Sequence, residues 1–409
     1  MAGLYIHIPF CESRCIYCGF YSTTSLKLRD EYIDALRKEM TLRPLSLELG
    51  KDEGINTIYL GGGTPSQLSS SQLLRLFEAI SNYGIPPKSH PEITMECNPD
   101  DITPEFCETL KQLPINRISM GAQTFSDTRL HFLHRRHNAE EVRLAIQRLR
   151  AIGIHNISID LMFGFPNETL EEWKNDIREA VRLGVEHISA YSLMYEEGTA
   201  LYKMLEQGKI QEIDEEVSCQ MFETLCDMLI EAGYEHYEIS NFAKPGYRSR
   251  HNSSYWHEIP YIGIGAAAHS YKRFPLSAAP KAQPTETQVT RSWNVASLQT
   301  YITSIQRGIL PSESEQLNLS TRYNDLITTA LRTNDGINLA KMKEEFGESF
   351  LQRLLQEADD KIKRGLMEIT NKKIIENKSH HEQEEKVLRL TRKGIYISDD
   401  IMGDFMIVD

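Results

Sequence analysis

The sequence predicts an α/β protein: a partial (β/α)6 TIM-like barrel followed by a small C-terminal helical, winged-helix-like domain. Three observations carry this. From residue 4 to about 195, short apolar runs alternate with amphipathic stretches, the pattern of repeated strand–helix units and a parallel sheet. Each apolar run hands over to glycine or polar residues at its C-terminal side, where barrels of this kind collect their chemistry. Beyond about residue 315 the alternation gives way to helix-periodic segments with one pair of short strands.

The strands are expected at 4–8, 56–60, 93–97, 117–120, 156–161 and 187–191, with helices at 29–48, 69–82, 139–152 and 169–183. Thr169 and Glu172 have the spacing of a capping box for the last helix. Six units suit a partial barrel better than a complete eightfold one. Residues 213–233 read as a helix, 237–242 as an edge strand and 293–307 as a helix. Pro275, Pro280 and Pro284 among Ala, Ser and Thr mark 275–290 as a surface linker. In the last part, 321–332, 340–346 and 350–363 are helix-like, and 366–369 pairs with 387–390 as a wing. The polar stretch 371–386, holding His380 and His381, reads as a mobile loop. The domain division is then 1–235 for the barrel, 236–310 for an extension with linker, and 311–409 for the C-terminal domain.

A chain of 409 residues with 40% hydrophobic and 25% charged residues has ample core for two or three domains. No run of 18 apolar residues reads as a membrane span, and a strand-like segment at the outset leaves no room for a signal peptide. A cytoplasmic protein is expected. The net charge of −13, from 45 basic and 58 acidic residues, argues against non-specific binding to nucleic acid or anionic membrane. A winged-helix shape often serves nucleic acid, but residues 311–409 carry 15 basic and 19 acidic residues, so a docking role fits better. No motif specifies a homodimer or peripheral membrane association through a partner, and both stay open.

The densest chemistry lies in Cys11, Cys15 and Cys18, spaced C-x3-C-x2-C. Three thiolates on one short loop hold three irons of a [4Fe–4S] cube and leave the fourth iron open to a small molecule. A structural zinc site needs four ligands, usually in paired sets, and His7 is the one nearby supplement. Seven cysteines in a chain this long do not make a disulfide framework. Cys97, Cys107, Cys219 and Cys226 read as core residues. Polar residues at the strand exits share a face with the cysteine loop: Gly61-Gly62-Gly63-Thr64, Glu96, Gln123, Asp160 and Tyr191-Ser192.

The cysteine spacing resembles that of the radical S-adenosylmethionine (SAM) enzymes. That resemblance implies SAM bound through its amino and carboxylate groups to the open iron, reductive cleavage to a 5′-deoxyadenosyl radical, and Tyr17 against the adenine. The runs Tyr5-Ile-His-Ile-Pro-Phe-Cys, Leu60-Gly-Gly-Gly-Thr-Pro, Glu96-Cys-Asn-Pro, Ser119-Met-Gly-Ala-Gln-Thr-Phe, Ile159-Asp-Leu-Met-Phe-Gly and Gly263-Ile-Gly-Ala resemble the oxygen-independent coproporphyrinogen III oxidases and their relatives. That family implies SAM contacts from Tyr5, Gly62, Gly63, Thr64, Glu96, Gln123, Arg135 and Asp160, with Ser192 counted beside them, and a C-terminal helical domain over the barrel mouth.

Two features point to the haem-chaperone branch of that family. The oxidases carry a further cysteine two places after the third, where this chain has Phe20. His251-Asn252-Ser-Ser-Tyr255-Trp256 resembles the H-N-x-x-Y-W motif of the chaperones. On residue chemistry alone this run reads as a buried aromatic cluster with a hydrogen-bonded histidine at a domain junction. With the resemblance it reads as a haem site: His251 as iron ligand, Tyr255 and Trp256 against the porphyrin, and Lys244, Arg248 or Arg250 on the propionates. Ser254 departs from the motif at a place often held by Lys, which weakens the propionate pairing. His257, His269 and His380-His381 are alternative ligands. The function implied is binding of haem and its delivery to acceptor haem proteins, with a SAM-binding [4Fe–4S] cluster. Coproporphyrinogen III oxidation and a radical SAM methyltransferase or ring-opening activity on haem are the alternatives.

Overall fold

The structure is a computed structural model that describes residues 2–48, 54–83, 90–275, 287–375 and 382–408. Six parallel strands are its frame: β1 (Ala2–Ile8), β2 (Ile55–Gly62), β3 (Glu92–Cys97), β4 (Arg117–Gln123), β5 (Asn156–Phe163) and β6 (His187–Ser192). They lie side by side in chain order. Each apolar run expected from the sequence is a strand here. Their outward faces carry Ile58, Leu60, Ile118, Met120, Ile157, Ile159 and Ile188, all buried against the crossover helices. The capping box at Thr169 forms, and Ser69–Gln72 and Asn138–Glu141 make two more.

The six-strand unit does not close on itself. It opens into one twelve-stranded sheet, extended at both edges by antiparallel strands. Beyond β6 come β7 (Glu235–Glu238) and β8 (Asn241–Ala243), paired as β6–β8–β7. The single edge strand expected at 237–242 is thus two short strands, because Ile239-Ser240 turns the chain between them. Beyond β1 come β9 (Tyr261–Ile264), β10 (His269–Pro275), β11 (Thr287–Asn294) and β12 (Ser312–Gln316).

The expected linker at 275–290 is corrected at its C-terminal end. Thr287–Asn294 is a strand whose β-branched residues suit a pleated surface, while 276–286 lie outside the described residues. The helix expected from 293 begins only at Leu298, where Ser297 caps it through Thr300 N. The helix expected over 29–48 breaks at Arg43 into Arg29–Leu42 and Leu45–Glu48.

A second core, built around Tyr323, Ile327, Leu354, Met367, Leu388 and Phe405, gathers the C-terminal helices over a small sheet. Strand β13 (Ile337–Asn338) pairs with β15 (Glu382–Leu390), which pairs with β14 (Met367–Ile375). The wing therefore forms but runs longer than expected, and most of the loop expected at 371–386 is ladder. Its register sets Lys372 opposite Glu385, and Glu368 opposite Arg389, whose Nε donates to Glu368 Oε1 at 2.8 Å. His380 and His381 lie outside the described residues.

This unit docks on the floor of the barrel, at the N-terminal ends of the strands, and along the β10–β11 edge. The resemblance led to the opposite expectation, a C-terminal domain over the mouth. Arg332 binds Glu238 Oε1 through Nε and Nη2 at 3.0 and 2.8 Å and lies 4.9 Å over the Trp256 ring. Arg273–Glu345 (2.6 Å) and Arg291–Asp325 (2.9 Å) secure the edge.

Candidate cofactor site

The cysteine loop is held at the mouth by an apolar plug. Ile16, between Cys15 and Tyr17, is buried with Leu133, Met162, Phe165, Leu193 and Leu201. Its backbone N–H donates to Leu133 O and its carbonyl accepts from Leu201 N. That anchor contributes about 1.5–3 kcal/mol of burial and leaves the three sulfurs facing the strand exits. Cys11, Cys15 and Cys18 line a pocket of about 190 Å³ together with Gly62, Gly63 and Thr64.

The glycine run is required by close approach. A Cβ on Gly63 would stand 2.7 Å from Ile8 O, 2.8 Å from Pro9 C and 2.9 Å from Phe10 O. Gly62 has φ +107°, and a Cβ there would meet the His7 ring at 2.3 Å. Thr64 thereby comes alongside the loop, its Oγ1 3.6 Å from Cys11 Sγ. His7 turns away from the sulfurs, with Nδ1 3.0 Å from Tyr5 Oη and Nε2 3.0 Å from Tyr21 O.

The polar residues expected at the strand exits converge here. Arg135 reaches across the pocket, with Nη1 3.4 Å from Cys15 Sγ and Nη2 donating at 2.8 Å to both Asn98 Oδ1 and Gly121 O. Glu96 accepts from Tyr59 Oη at 2.7 Å and from Gly62 N at 3.1 Å. Burial pushes its carboxyl up to about 7, and burial pushes Asp160 up to about 6. Gln123 takes φ +65° at the end of β4. Glu96, Gln123 and Asp160 also line a second, larger cavity of about 550 Å³ that runs inward along the barrel axis. Tyr17 and Cys18 stand between the two, and Ser192 lines the inner one. Tyr5 lies behind this lining, its ring centroid 6.3 Å from that of Tyr59.

These residues fit a cubane cluster. Among the described residues no three His, Cys, Asp or Glu side chains converge on one point, and cubane ligands do not need to, since each holds a separate iron. Burial pushes the Cys11 and Cys18 thiols above the ordinary cysteine value, so metal loading displaces protons. The buried Arg135 Nε has no partner among the described residues, an unmet donor in the lining of this pocket.

The H-N-x-x-Y-W run lies elsewhere. It forms the helix Arg250–Trp256, capped by Ser249, with Glu92 accepting from Arg250 N and His251 N at 3.0 Å each. His251 is 1% exposed. Its Nδ1 lies 2.9 Å from Thr57 Oγ1 and its Nε2 2.8 Å from Tyr255 Oη. Burial, then the charge of Arg117, pushes its imidazole down to about 3. Both ring nitrogens are hydrogen-bonded, so ligation of iron by His251 requires one of these bonds to be exchanged. What the structure places here is the hydrogen-bonded histidine in an aromatic cluster at a domain junction, with Tyr255 against Tyr261 and Trp256 under Arg332. His251→Ala is therefore expected to lower stability by about 2–4 kcal/mol with no ligand present, a loss that chemical denaturation measures.

Lys244 and Arg248 also have other partners: Lys244 Nζ donates to Gly184 O at 2.6 Å and Arg248 Nε to Glu235 Oε2 at 2.9 Å. His257 is held by Ser253 O and Asp335. His269 is exposed, faces Trp293 across β10 and β11, and makes no hydrogen bond among the described residues. Sequence reasoning missed Tyr59, Asn98, Arg117 and Ser119 as cavity residues. The period of two along β4, where Arg117, Ser119 and Gly121 share one face, is the signal that finds the last two.

Comparison with known proteins bears on the fold and the family. The radical SAM superfamily model matches residues 5–180, and the HemN C-terminal domain model matches 317–374. The haem chaperone HemW of Bacillus subtilis is 33% identical over 99% of both chains. That of Lactococcus lactis is 32% identical over 99% of this chain and 97% of its own. The solved coproporphyrinogen III oxidase HemN of Escherichia coli superposes with a TM-score of 0.77 over 99% of this chain and 89% of that one, at 20% identity, which speaks to the fold alone. Among the described residues no helix is long and apolar enough to cross a membrane. With a HemW-named relative matched end to end at 33% identity, this chain belongs to the HemW family of radical SAM proteins.

Proposed function

We propose that this protein binds haem and delivers it to haem proteins, and that it carries a [4Fe–4S] cluster with SAM at the mouth of the barrel. The observation that carries the reading is the end-to-end match to haem chaperones. Phe20 supports it. It is 72% exposed and lines the inner cavity at the position where the oxidases have a further cysteine, and a phenyl ring holds no iron. Met194 and Tyr191, 63% and 41% exposed, continue that apolar rim.

When loaded, the cluster supplies an open iron for the amino-acid end of SAM and an electron. The chain's own groups do the rest. Cys11, Cys15 and Cys18 hold the cluster, and Arg135 fixes Cys15 and neutralises charge beside it. Gly62 and Gly63 admit SAM to the backbone, Glu96 and Asp160 accept from its ammonium or ribose, and Tyr17 covers the adenine. His251 stays the proposed haem-iron ligand, reached by exchange of its bonds to Thr57 and Tyr255, and His269, whose ring nitrogens make no hydrogen bond among the described residues, is the alternative.

Haem titration of the anaerobically reconstituted protein tests the reading. A one-to-one complex is expected, weakened by His251→Gln, or by His269→Ala where the alternative ligand serves. Absence of stoichiometric binding overturns it. SAM binding has a pH signature of its own. Glu96 holds a proton below about 7, and meeting a cationic ammonium requires its loss. SAM affinity is expected to rise about tenfold per pH unit up to about 7 and then level off. Glu96→Gln is expected to flatten that profile in calorimetric titrations. A flat wild-type profile would show that Glu96 does not face the ammonium.

A further inference from the structure

Arg117 enters the barrel at the start of β4 and is 1% exposed. Its side chain makes no hydrogen bond to, and no ion pair within 4 Å of, any described residue, its Nε is a buried donor without a partner, and it acts on Glu96 and Asp160 only as a charge at longer range. It lines the 550 Å³ cavity, on whose wall Ser119 and Ser189 are also buried and to which Asn252 contributes from the floor helix. Its register neighbours repeat the deficit. Thr94 Oγ1 on β3 and Asn156 Oδ1 on β5 are both buried without partners. Three adjacent strands thus present an unsatisfied polar layer at one level of the barrel.

A buried cation with no counter-ion in direct contact is costly, and folds rarely keep one unless a ligand completes it. Glu96 and Asp160 share the cavity but stand beyond ion-pair distance, and Glu96 is committed to Tyr59 and Gly62. The neighbouring histidines do not share the charge. His187 is held between Ser158 Oγ and Tyr237 Oη, His251 between Thr57 and Tyr255, and burial keeps both neutral.

We propose that Arg117 anchors a carboxylate at the floor of the barrel, so that the cavity inward of the cysteine loop binds a carboxylate-bearing ligand with an apolar body. The guanidinium offers a planar fork of donors that matches a carboxylate. The volume is that of a small-molecule site, and Met162, Tyr191 and Phe20 supply apolar wall. The inference rests on the haem reading for the name of the ligand: on that reading the carboxylate is a haem propionate. The methionyl carboxylate of SAM has the same chemistry, and the experiment separates the two.

The cluster-loaded full chain and its Arg117→Met variant are titrated with haem, with haem dimethyl ester and with SAM, and the thermal midpoint of each apoprotein is recorded. The expected result is haem binding weakened about tenfold to a hundredfold by the substitution, esterified haem binding both proteins alike, and iron content unchanged. The apoprotein midpoint is expected to rise, because the variant buries a thioether where the wild type buries an unpaired charge. SAM weakened instead of haem keeps the carboxylate subsite and assigns it to SAM. Wild-type protein that binds no haem, yet binds SAM in an Arg117-dependent way, overturns the haem reading and leaves the subsite standing. No Arg117 dependence for any of the three probes, or a lowered midpoint, overturns the proposal.

Discussion

Cys15→Ala is expected to abolish the iron centre while leaving the fold in place. Three irons of the cube each take one thiolate of the loop, and two cysteines alone hold a cluster poorly. Cys15 is only half-buried, and its sulfur is held by Arg135 at 3.4 Å and by the neighbouring Tyr17 hydroxyl. The loop is anchored by its neighbour Ile16, which the substitution does not touch. Iron and sulfide content after anaerobic reconstitution should fall to background and the broad visible absorbance should vanish, with a near-native far-ultraviolet spectrum. Cys107→Ala and Cys226→Ala are the controls. Both sulfurs are buried in the main core, away from the pocket, so these variants lose stability by a cavity term but keep their iron. Equal iron in Cys15→Ala and wild type would contradict the assignment of the loop.

Gly63→Ala is expected to damage the fold and the cofactor site together. Its Cβ would press on Ile8 O, Pro9 C and Phe10 O, all backbone, so no side chain can swing aside. Relief requires the β2 exit to move away from β1, which also withdraws Thr64 from Cys11. A cost of about 1–3 kcal/mol follows from overpacking, together with reduced cluster loading. Gly208 is the comparison. It has φ +66° but nothing within 4 Å of an added Cβ, so Gly208→Ala is expected to cost only about 1 kcal/mol of backbone strain and no iron. Urea denaturation and iron analysis on the two variants measure the difference.

The parallel strands were legible because each is buried on both faces and declares itself as an apolar run with a glycine or polar exit. Convergence at the mouth followed from that topology, which is why Glu96, Gln123, Arg135 and Asp160 meet around the cysteine loop as read. The flanking strands were not legible for the converse reason. Ser312–Gln316 is exposed at every residue, and Tyr261–Ile264 is four residues long, so pairing with neighbours rather than pattern makes them strands. Long polar strands hid the wing in the same way. Arg117 at the head of an apolar run looks like a strand boundary, and only the closeness of β3 and β5 shows it to be buried. His251 shows how a motif can be located from sequence while its geometry is not. Residue chemistry favoured a buried, hydrogen-bonded histidine, and that is its state here, whatever further role the motif serves.

The most direct test of haem delivery is a transfer assay on the cluster-loaded, haem-charged protein with an apo-globin as acceptor, run beside an anaerobic incubation with coproporphyrinogen III, SAM and reductant. The expected result is haem appearing on the globin with its characteristic spectrum, while coproporphyrinogen is recovered unchanged. Formation of protoporphyrinogen with 5′-deoxyadenosine, and no haem transfer, would contradict the account and make this chain an oxidase despite Phe20.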